Sequence, residues 1–434
     1  MANYSVRYDG SANKATSEDG DKTVAAECMS VATFNGESFL AGDNIYFWSN
    51  GGDYKVLITV PSSGSVGNHI ELIFDANVVL DGEDTRKVIG TAQNYLTFTG
   101  NGCEIKDQDN YGFWCRSVAD PGPGKGITID GFVVHDGGYQ GICIWDYSDV
   151  IVRNCNIYRD GWNALQIGSV QAKGSSQPKY ENILIENNWL HDCGHGGLDV
   201  HNQESDSVTS RPLEDVTIRY NLITVLETPD SSYDRTAIYV FDQNTGSQGG
   251  YIKDVYIYGN VCYRCPSGGI GVSWATQGVV ITGSVIVNNT CAFCGQTELG
   301  AGITSETSGG IIKNNICFMN NANDSQQYEI FVDDGGNDQN TVDYNCVYNP
   351  DHTYLYADTY DVYTHAEYQS ERSQQLNGIN VDPLFSDADN DDFTLAAGSP
   401  CIGAGENLGS PYNIILHPSS TWPDGVVTAD QNDY

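Results

Sequence analysis

The chain has 434 residues, long enough for a large core, and carries 57 acidic against 20 basic residues for a formal charge of −37. Such a surface repels nucleic acid and anionic membrane, so neither is an expected partner. No run of about 18 apolar residues is available to cross a bilayer, and 48 glycines without a sustained helical period point to an all-β chain.

In chain order, the opening Met1-Ala2-Asn3-Tyr4 has no charged-then-apolar leader. The expectation is an extracellular or virion-associated protein whose signal has been trimmed or which leaves its cell by another route such as lysis, the latter suiting a phage origin. Residues 1–50 read as an N-terminal cap and first strand, with a short helix near Lys22–Thr33 covering an open coil end. From about Gly51 to Asn349 the sequence repeats. Asn188, Asn221, Asn260, Asn289, Asn315 and Asn345 each follow a short β-rich stretch, at intervals of 33, 39, 29, 26 and 30 residues by subtraction. An asparagine recurring at a turn marks coils stacked on one another, each amide satisfying backbone groups that the bend leaves unpaired. Two residues after each rung, counting Phe132 and Cys155 as the first two, stand Val134, Ile157, Leu190, Ile223, Cys262, Cys291, Cys317 and Val347, all apolar. The next column, His135, Tyr158, His191, Thr224, Tyr263, Ala292, Phe318 and Tyr348, is rich in rings and should face outward. The reading is a right-handed parallel β-helix, a solenoid roughly 50 to 60 Å long at about 4.8 Å per layer.

Thirteen cysteines could suggest a disulfide framework, but Cys262, Cys291 and Cys317 share the apolar column, and Cys193, Cys265 and Cys294 share a position three residues later. Core thiols in a chain folded under reducing conditions are expected, the Cys-x-x-Cys spacings being a product of the repeat. Residues 350–434 read as irregular C-terminal coils and a tail packed on the helix. Tyr354, Tyr356, Tyr360, Tyr363 and Tyr368 suit either packing along the rod or a trimer-forming tail, so a monomer or a homotrimer is expected. The acidic run Asp387–Asp392 lacks the glycine and distal glutamate of an EF-hand loop and reads as a solvated turn.

Two segments carry a family resemblance. The N-terminal Ala41-Gly42-Asp43-Asn44-Ile45-Tyr46-Phe47, with Gly51-Gly52-Asp53-Tyr54 and Val60-Pro61-Ser62-Ser63-Gly64, resembles the opening coils of the pectate-lyase-like superfamily. So does the closing Asp382-Pro383-Leu384-Phe385, then Asp392-Phe393-Thr394-Leu395 and Gly398-Ser399-Pro400. The resemblance implies a polysaccharide or oligosaccharide partner, and a polysaccharide lyase, glycoside hydrolase, uronan epimerase or tailspike-like adhesin.

After each ladder turn a second strand aligns: Gln140–Asp146, Asn163–Gly168, Gly196–Asn202, Thr236–Asp242, Gly268–Trp274, Gly300–Glu306 and Tyr328–Asp334. One outward column holds Cys143, Gln166, Asp199, Tyr239, Gly271, Thr304 and Phe331; the other holds Trp145, Gly168, His201, Phe241, Ser273, Glu306 and Asp333. Rings, carboxylates, an imidazole and a phenol on one face suit a sugar-binding groove. The insertions Gln171–Tyr180, Gln203–Pro212 and Thr228–Arg235 would wall it. Alternation places Asp199 and His201 on one face, about 6.5 to 7 Å apart at Cα. Gly197-Leu198-Asp199-Val200-His201-Asn202 resembles the Asp-Pro-His-Glu motif of mannuronan C5-epimerases, with Val200 and Asn202 departing from it, and Asp234-Arg235 resembles that family's Asp-Arg pair. Gly196 and Gly197 stand where that family has a tyrosine, and Gln166 where it has a lysine.

The leading expectation is β-elimination on a uronic-acid glycan. His201 and Tyr239 would be acid and base, while Arg235, Gln166 or a calcium ion held by Asp199 and Asp234 would neutralise the uronate. Trp145, Phe241, Trp274, Glu306, Asp242 and Gln166 would bind substrate. The alternatives are a glycoside hydrolase pairing Asp199 with Asp234, Asp242 or Glu306, and a glycan-binding adhesin.

Overall fold

From Asn187 to Tyr344 a left-handed residue followed by an asparagine makes the ladder bend of successive coils. The structure is a computed structural model and describes residues 1–117, 124–169, 180–202, 213–225, 236–242, 251–274, 280–295, 300–320, 328–333, 340–358 and 360–412. One coil runs through the strand Tyr180–Glu186, the bend Asn187-Asn188, the strand Trp189–Cys193 and the strand Gly196–Asn202. Asn154, Asn187, Tyr220, Gly259, Asn288, Asn314 and Tyr344 stack at that bend, all with φ between 54 and 66°. Asn and Gly enter this region at small cost, whereas tyrosine is strained there. Tyr220 recovers part of that strain by burying its ring edge-on against Tyr258, 5.6 Å away.

The next residue of each bend is the ladder. The Oδ1 atoms of Asn188, Asn221, Asn260, Asn289, Asn315 and Asn345 accept from the backbone N–H of the preceding rung, starting at Cys155, at 3.0 Å. Each Nδ2 also donates to the following rung and to carbonyls of its own bend or of the coil before it, such as Ile218 for Asn260. Beyond Asn345, Gln375 serves as a further rung: its Oε1 accepts from Asn345 N at 3.1 Å and its Nε2 donates to the Tyr356 hydroxyl at 3.0 Å. Asn260→Leu leaves the Asn221 N–H and amide buried without their acceptor. The expected loss is roughly 2 to 4 kcal/mol, read as a lower urea midpoint at unchanged slope; a midpoint equal to wild type would refute the ladder's role.

The first two strands of each coil pair in parallel with their counterparts in the next, and the third strands form a second sheet from Ile58–Thr59 to Tyr356–Ala357. The all-β parallel β-helix read from the repeat is the fold observed. Inward residues stack in columns, Leu165, Leu198, Ile238 and Ile270 among them, all buried. Cys262, Cys291 and Cys317 align in such a column. All thirteen cysteines are buried free thiols, and burial pushes Cys155 up to about 12 and Cys262 up to about 11. The expected ring column exists in its first coils, where His135, Tyr158 and His191 stack at 4.8 Å spacings.

The N-terminal end differs from expectation. Parallel pairing begins at Asn3–Arg7 against Asn44–Trp48, well before Gly51. The helix expected near Lys22–Thr33 is a 3-10 turn, Ala25–Glu27, and a helix only from Val31 to Gly36, capped by Ser30. The reason is that Met29 is held extended against the first strand: its N–H donates to Ser5 O and its carbonyl accepts from Arg7 N. At the other end, Tyr356 is fully buried and stacks on Tyr368 of the helix His365–Glu371, rings 4.4 Å apart and 3° from parallel. Tyr356, Tyr363 and Tyr368 thus pack on the rod's end, while Tyr354 and Tyr360 are exposed. The acidic run forms the turn between the antiparallel strands Phe385–Asp387 and Asp392–Leu395, and Arg264 pins it through Asp391 at 2.6 Å.

Candidate active site

On the second sheet, alternation and register gather the outward side chains. Gln166, Asp199, Tyr239 and Gly271 are successive partners across Asn163–Ser169, Gly196–Asn202, Thr236–Asp242 and Gly268–Trp274. Beside them run Trp145, Gly168, His201, Phe241 and Ser273. Both columns are as the sequence predicted.

Their environment is closer-packed than an open strand face. Trp145, Gln166, Asp199, His201 and Phe241 are all buried, and Tyr239 is half-buried. The His201 ring lies between Trp145, edge-on at 5.2 Å, and Phe241 at 4.9 Å; Phe241 in turn stacks on Tyr239 at 4.2 Å. Gly168 makes room for this arrangement, since a Cβ there would meet His201 O at 2.7 Å and the His201 ring at 3.3 Å. The Tyr239 hydroxyl shares a 2.9 Å hydrogen bond with Ser273 Oγ. Asp199 Oδ2 accepts from Asn163 Nδ2, and Asn163 Oδ1 faces His195 Nδ1 at 2.8 Å. The chain His195–Asn163–Asp199 links a half-buried imidazole to a buried carboxylate.

That link exposes residues the sequence reading missed. At the corner before each site strand, Tyr139, Trp162 and His195 stack along the rod, with Tyr139–Trp162 at 5.2 Å and Trp162–His195 at 4.0 Å and 11°. Tyr111 and Trp114 extend the strip at one end, and burial pushes the Tyr111 phenol up to about 12. All five rings are half-buried, a surface suited to pyranose faces. A legible signal existed: Gly138-Tyr139, Gly161-Trp162 and Gly194-His195 repeat a glycine before each ring. A Cβ at Gly161 would meet Gly138 O at 2.5 Å, and one at Gly194 would meet Gly161 O at 2.7 Å. The glycines let the corner close so that the rings stack.

Other expected site residues are not brought to this face. Asp242 follows Phe241, so alternation turns it to the opposite side of the strand, where it is fully buried; it is not a groove residue. Glu306 is half-buried but stands three layers from Asp199, about 14 Å along the stack. That exceeds the roughly 5 to 9.5 Å of a glycosidase carboxylate pair. Glu306 instead neighbours Asp333: the register Ser305↔Val332 puts them side by side, and Asp333 N donates to Ser305 O at 2.9 Å. Asp234, Arg235 and the Trp274 side chain lie outside the described residues, as do the insertions except Tyr180, which begins a strand and donates from its hydroxyl to Asp146 at 2.8 Å. Among the described residues no group of three His, Cys, Asp or Glu converges to hold a metal. Of the expected calcium pair, Asp199 is the member within the described residues, and its Oδ2 accepts from Asn163 Nδ2.

Comparison with known proteins gives the fold. The sequence matches the family described as right handed beta helix region over residues 65–246. No curated protein matches the chain significantly. Among solved structures, pectate lyase Pel9A is similar over 94% of this chain and 93% of its own, at 14% identity and a TM-score of 0.52. A GH136 lacto-N-biosidase from Eubacterium ramulus aligns over 76% of this chain and 64% of its own, at 12% identity and 0.45. XylC in complex with xylose aligns over 83% and 76%, at 12% identity and 0.48. At these identities the likeness to Pel9A is one of fold.

Proposed function

We propose that this right-handed β-helix is a polysaccharide-degrading enzyme, and that it acts by β-elimination on a uronic-acid glycan at the face around Asp199, His201 and Tyr239. One observation carries the reading: Asp199 and Tyr239 are register partners, with His201 beside them and a ring-lined strip ending at the Asn163–Asp199 contact. A sugar stacked on Tyr139 and Trp162 is led toward that carboxylate.

The elimination needs a base for the C5 proton and a proton for the departing O4. The C5–H electron pair becomes the C4=C5 bond as the C4–O4 bond breaks, and O4 takes a proton. Tyr239 is the group of the trio that reaches the surface, held by Ser273, and we assign it proton transfer. Asp199 and His201, buried beneath, set the polarity around its phenol. The uronate carboxylate must be neutralised for its C5 proton to become acidic. Arg235, one residue before the Tyr239 strand in sequence, is assigned that task, and calcium is the alternative for it.

Glycoside hydrolysis is the second reading, and the neighbouring Glu306 and Asp333 favour it over any pair that includes Asp199. A panel of acidic and neutral polysaccharides, assayed with calcium and with EDTA, separates the readings. Ultraviolet absorbance of an unsaturated uronate together with new reducing ends is the expected result. Reducing ends alone would move the activity to the carboxylate pair. C5 inversion without either product would mean epimerisation, and binding without any product would leave a glycan-binding rod.

A further inference from the structure

The opposite leg of the coil carries a groove unrelated to the acid–base face. It has a volume of about 800 Å³, inside the roughly 300 to 1,000 Å³ of small-molecule sites. Its floor is a column of register partners on the first sheet, Thr128, Ile151, Leu184 and Thr217, half-buried with their side chains outward. Outward positions on a polar rod are the expected place for charges, yet this column is aliphatic or threonine.

One rim follows from backbone geometry. Tyr95, Gly126, Asp149, Asn182 and Asp215 stack with φ between 54 and 72°, a second column of left-handed residues. Gly126 is required there, because its missing Cβ would sit 2.8 Å from the Tyr95 ring, which lies across it. Tyr95, with the His69 ring 5.7 Å away, closes one end as an aromatic platform. Tyr258 and Pro411 line the other end. From the Tyr95 coil to the Tyr258 coil is five layers, about 24 Å along the axis.

Charge decides what such a groove takes. Its rim presents polar groups: Asp215 and Asn182 are exposed, and Asn182 Nδ2 donates to Asp149 Oδ1 at 2.7 Å. The cation among the lining residues, Arg219, is turned into the Glu186 carboxylate at 2.5 Å and the Tyr258 hydroxyl at 2.9 Å. Beside the rim, Lys125 Nζ is shared between Asp149 at 3.5 Å and Glu181 at 3.9 Å, so a polyanion meets carboxylates whose nearby cations are already paired. A neutral polyhydroxylated chain offers hydroxyl donors to the rim and C–H faces to Tyr95, Ile151 and Leu184.

We infer that this groove binds an uncharged oligosaccharide, several units lying along the rod axis, at a site separate from the face around Asp199. The protein then grips a neutral stretch of glycan on one wall while the other wall meets the bond to be broken.

Calorimetric titration of the full chain with xylohexaose, cellohexaose and mannohexaose, and with hexagalacturonate as the anionic control, tests this. At least one neutral hexamer should bind, and Leu184→Arg should weaken it tenfold or more at an unchanged melting temperature. Thr217→Arg repeats the test should the first variant fold poorly. His201→Ala should leave this binding intact, whereas a wild-type protein that cleaves no polysaccharide yet binds through Leu184 would overturn the catalytic reading and keep this one. No binding of any neutral hexamer, binding that survives both arginine variants, or hexagalacturonate binding lost with Leu184→Arg would each overturn the inference.

Discussion

Tyr239→Phe should lower turnover on the cleaved polysaccharide by about 100-fold or more, the range that removal of a positioned acid–base group costs, with KM nearly unchanged. The substitution deletes one oxygen and keeps the ring, so the 4.2 Å stack on Phe241 that seats His201 survives. What is lost is the hydroxyl shared with Ser273. Ser273→Ala keeps the phenol but frees its orientation, and should cost less. The two variants together separate proton transfer from packing: equal losses would mean that the pair merely holds the face in shape. Full activity in Tyr239→Phe would remove Tyr239 from the mechanism. Loss on Glu306→Gln in its place would establish the hydrolytic reading.

The second large effect is on stability against pH. Glu329 is wholly buried, and burial pushes its carboxyl from an ordinary 4.5 up to about 8. Asn320 N and Asn349 Nδ2 donate to Oε1, both at 2.9 Å, and Asn320 Nδ2 donates to Oε2 at 2.6 Å; these bonds oppose the burial without overcoming it. Between pH 4.5 and about 8 the native state keeps a proton that the unfolded chain has released. Stability must therefore fall as pH rises through that window, and level off above it. The total is on the order of 5 kcal/mol. Asp160, also buried and raised by burial, adds to the same slope. Glu329→Gln should remove its own share of the slope. It should also be less stable than wild type near pH 4.5, because its amide would meet the Asn320 amide donor to donor. Urea midpoints from pH 4.5 to 9 decide this: a variant slope equal to wild type would show that Glu329 ionises normally.

What could be read from the sequence follows the repeat. Asparagine is chemically singular at a bend that needs both a donor and an acceptor, so six of its rungs stood out, and the inward cysteines fell into register with them. Gln375 did not, because the same task is done there by a longer side chain arriving after a helix. Tyr220 and Tyr344 hid the left-handed column for a similar reason: their backbone is that of an asparagine, but their side chains are held by tertiary packing. At the candidate site, alternation was enough to place Asp199, His201 and Tyr239 on one face. It was also enough to turn Asp242 away, had the parity after Phe241 been followed. The ring strip was missed because its members are tyrosine, tryptophan and histidine, three letters with one shape, and only the glycines before them repeat.

The coil intervals of 33, 39, 29, 26 and 30 residues differ while the bends and strands hold their register. Residues are added at the two corners that flank the site strands, before one as between Val225 and Thr236, and after one as between Asn202 and Leu213 or Asp242 and Tyr251. A rung cannot be lengthened without unpairing its neighbours, but these corners can grow without disturbing any ladder bond. The scaffold thus separates heritable change into two kinds, one that breaks the molecule and one that only rewrites the border of its working face. New specificities can be acquired by insertion at those corners, with the folding code left untouched.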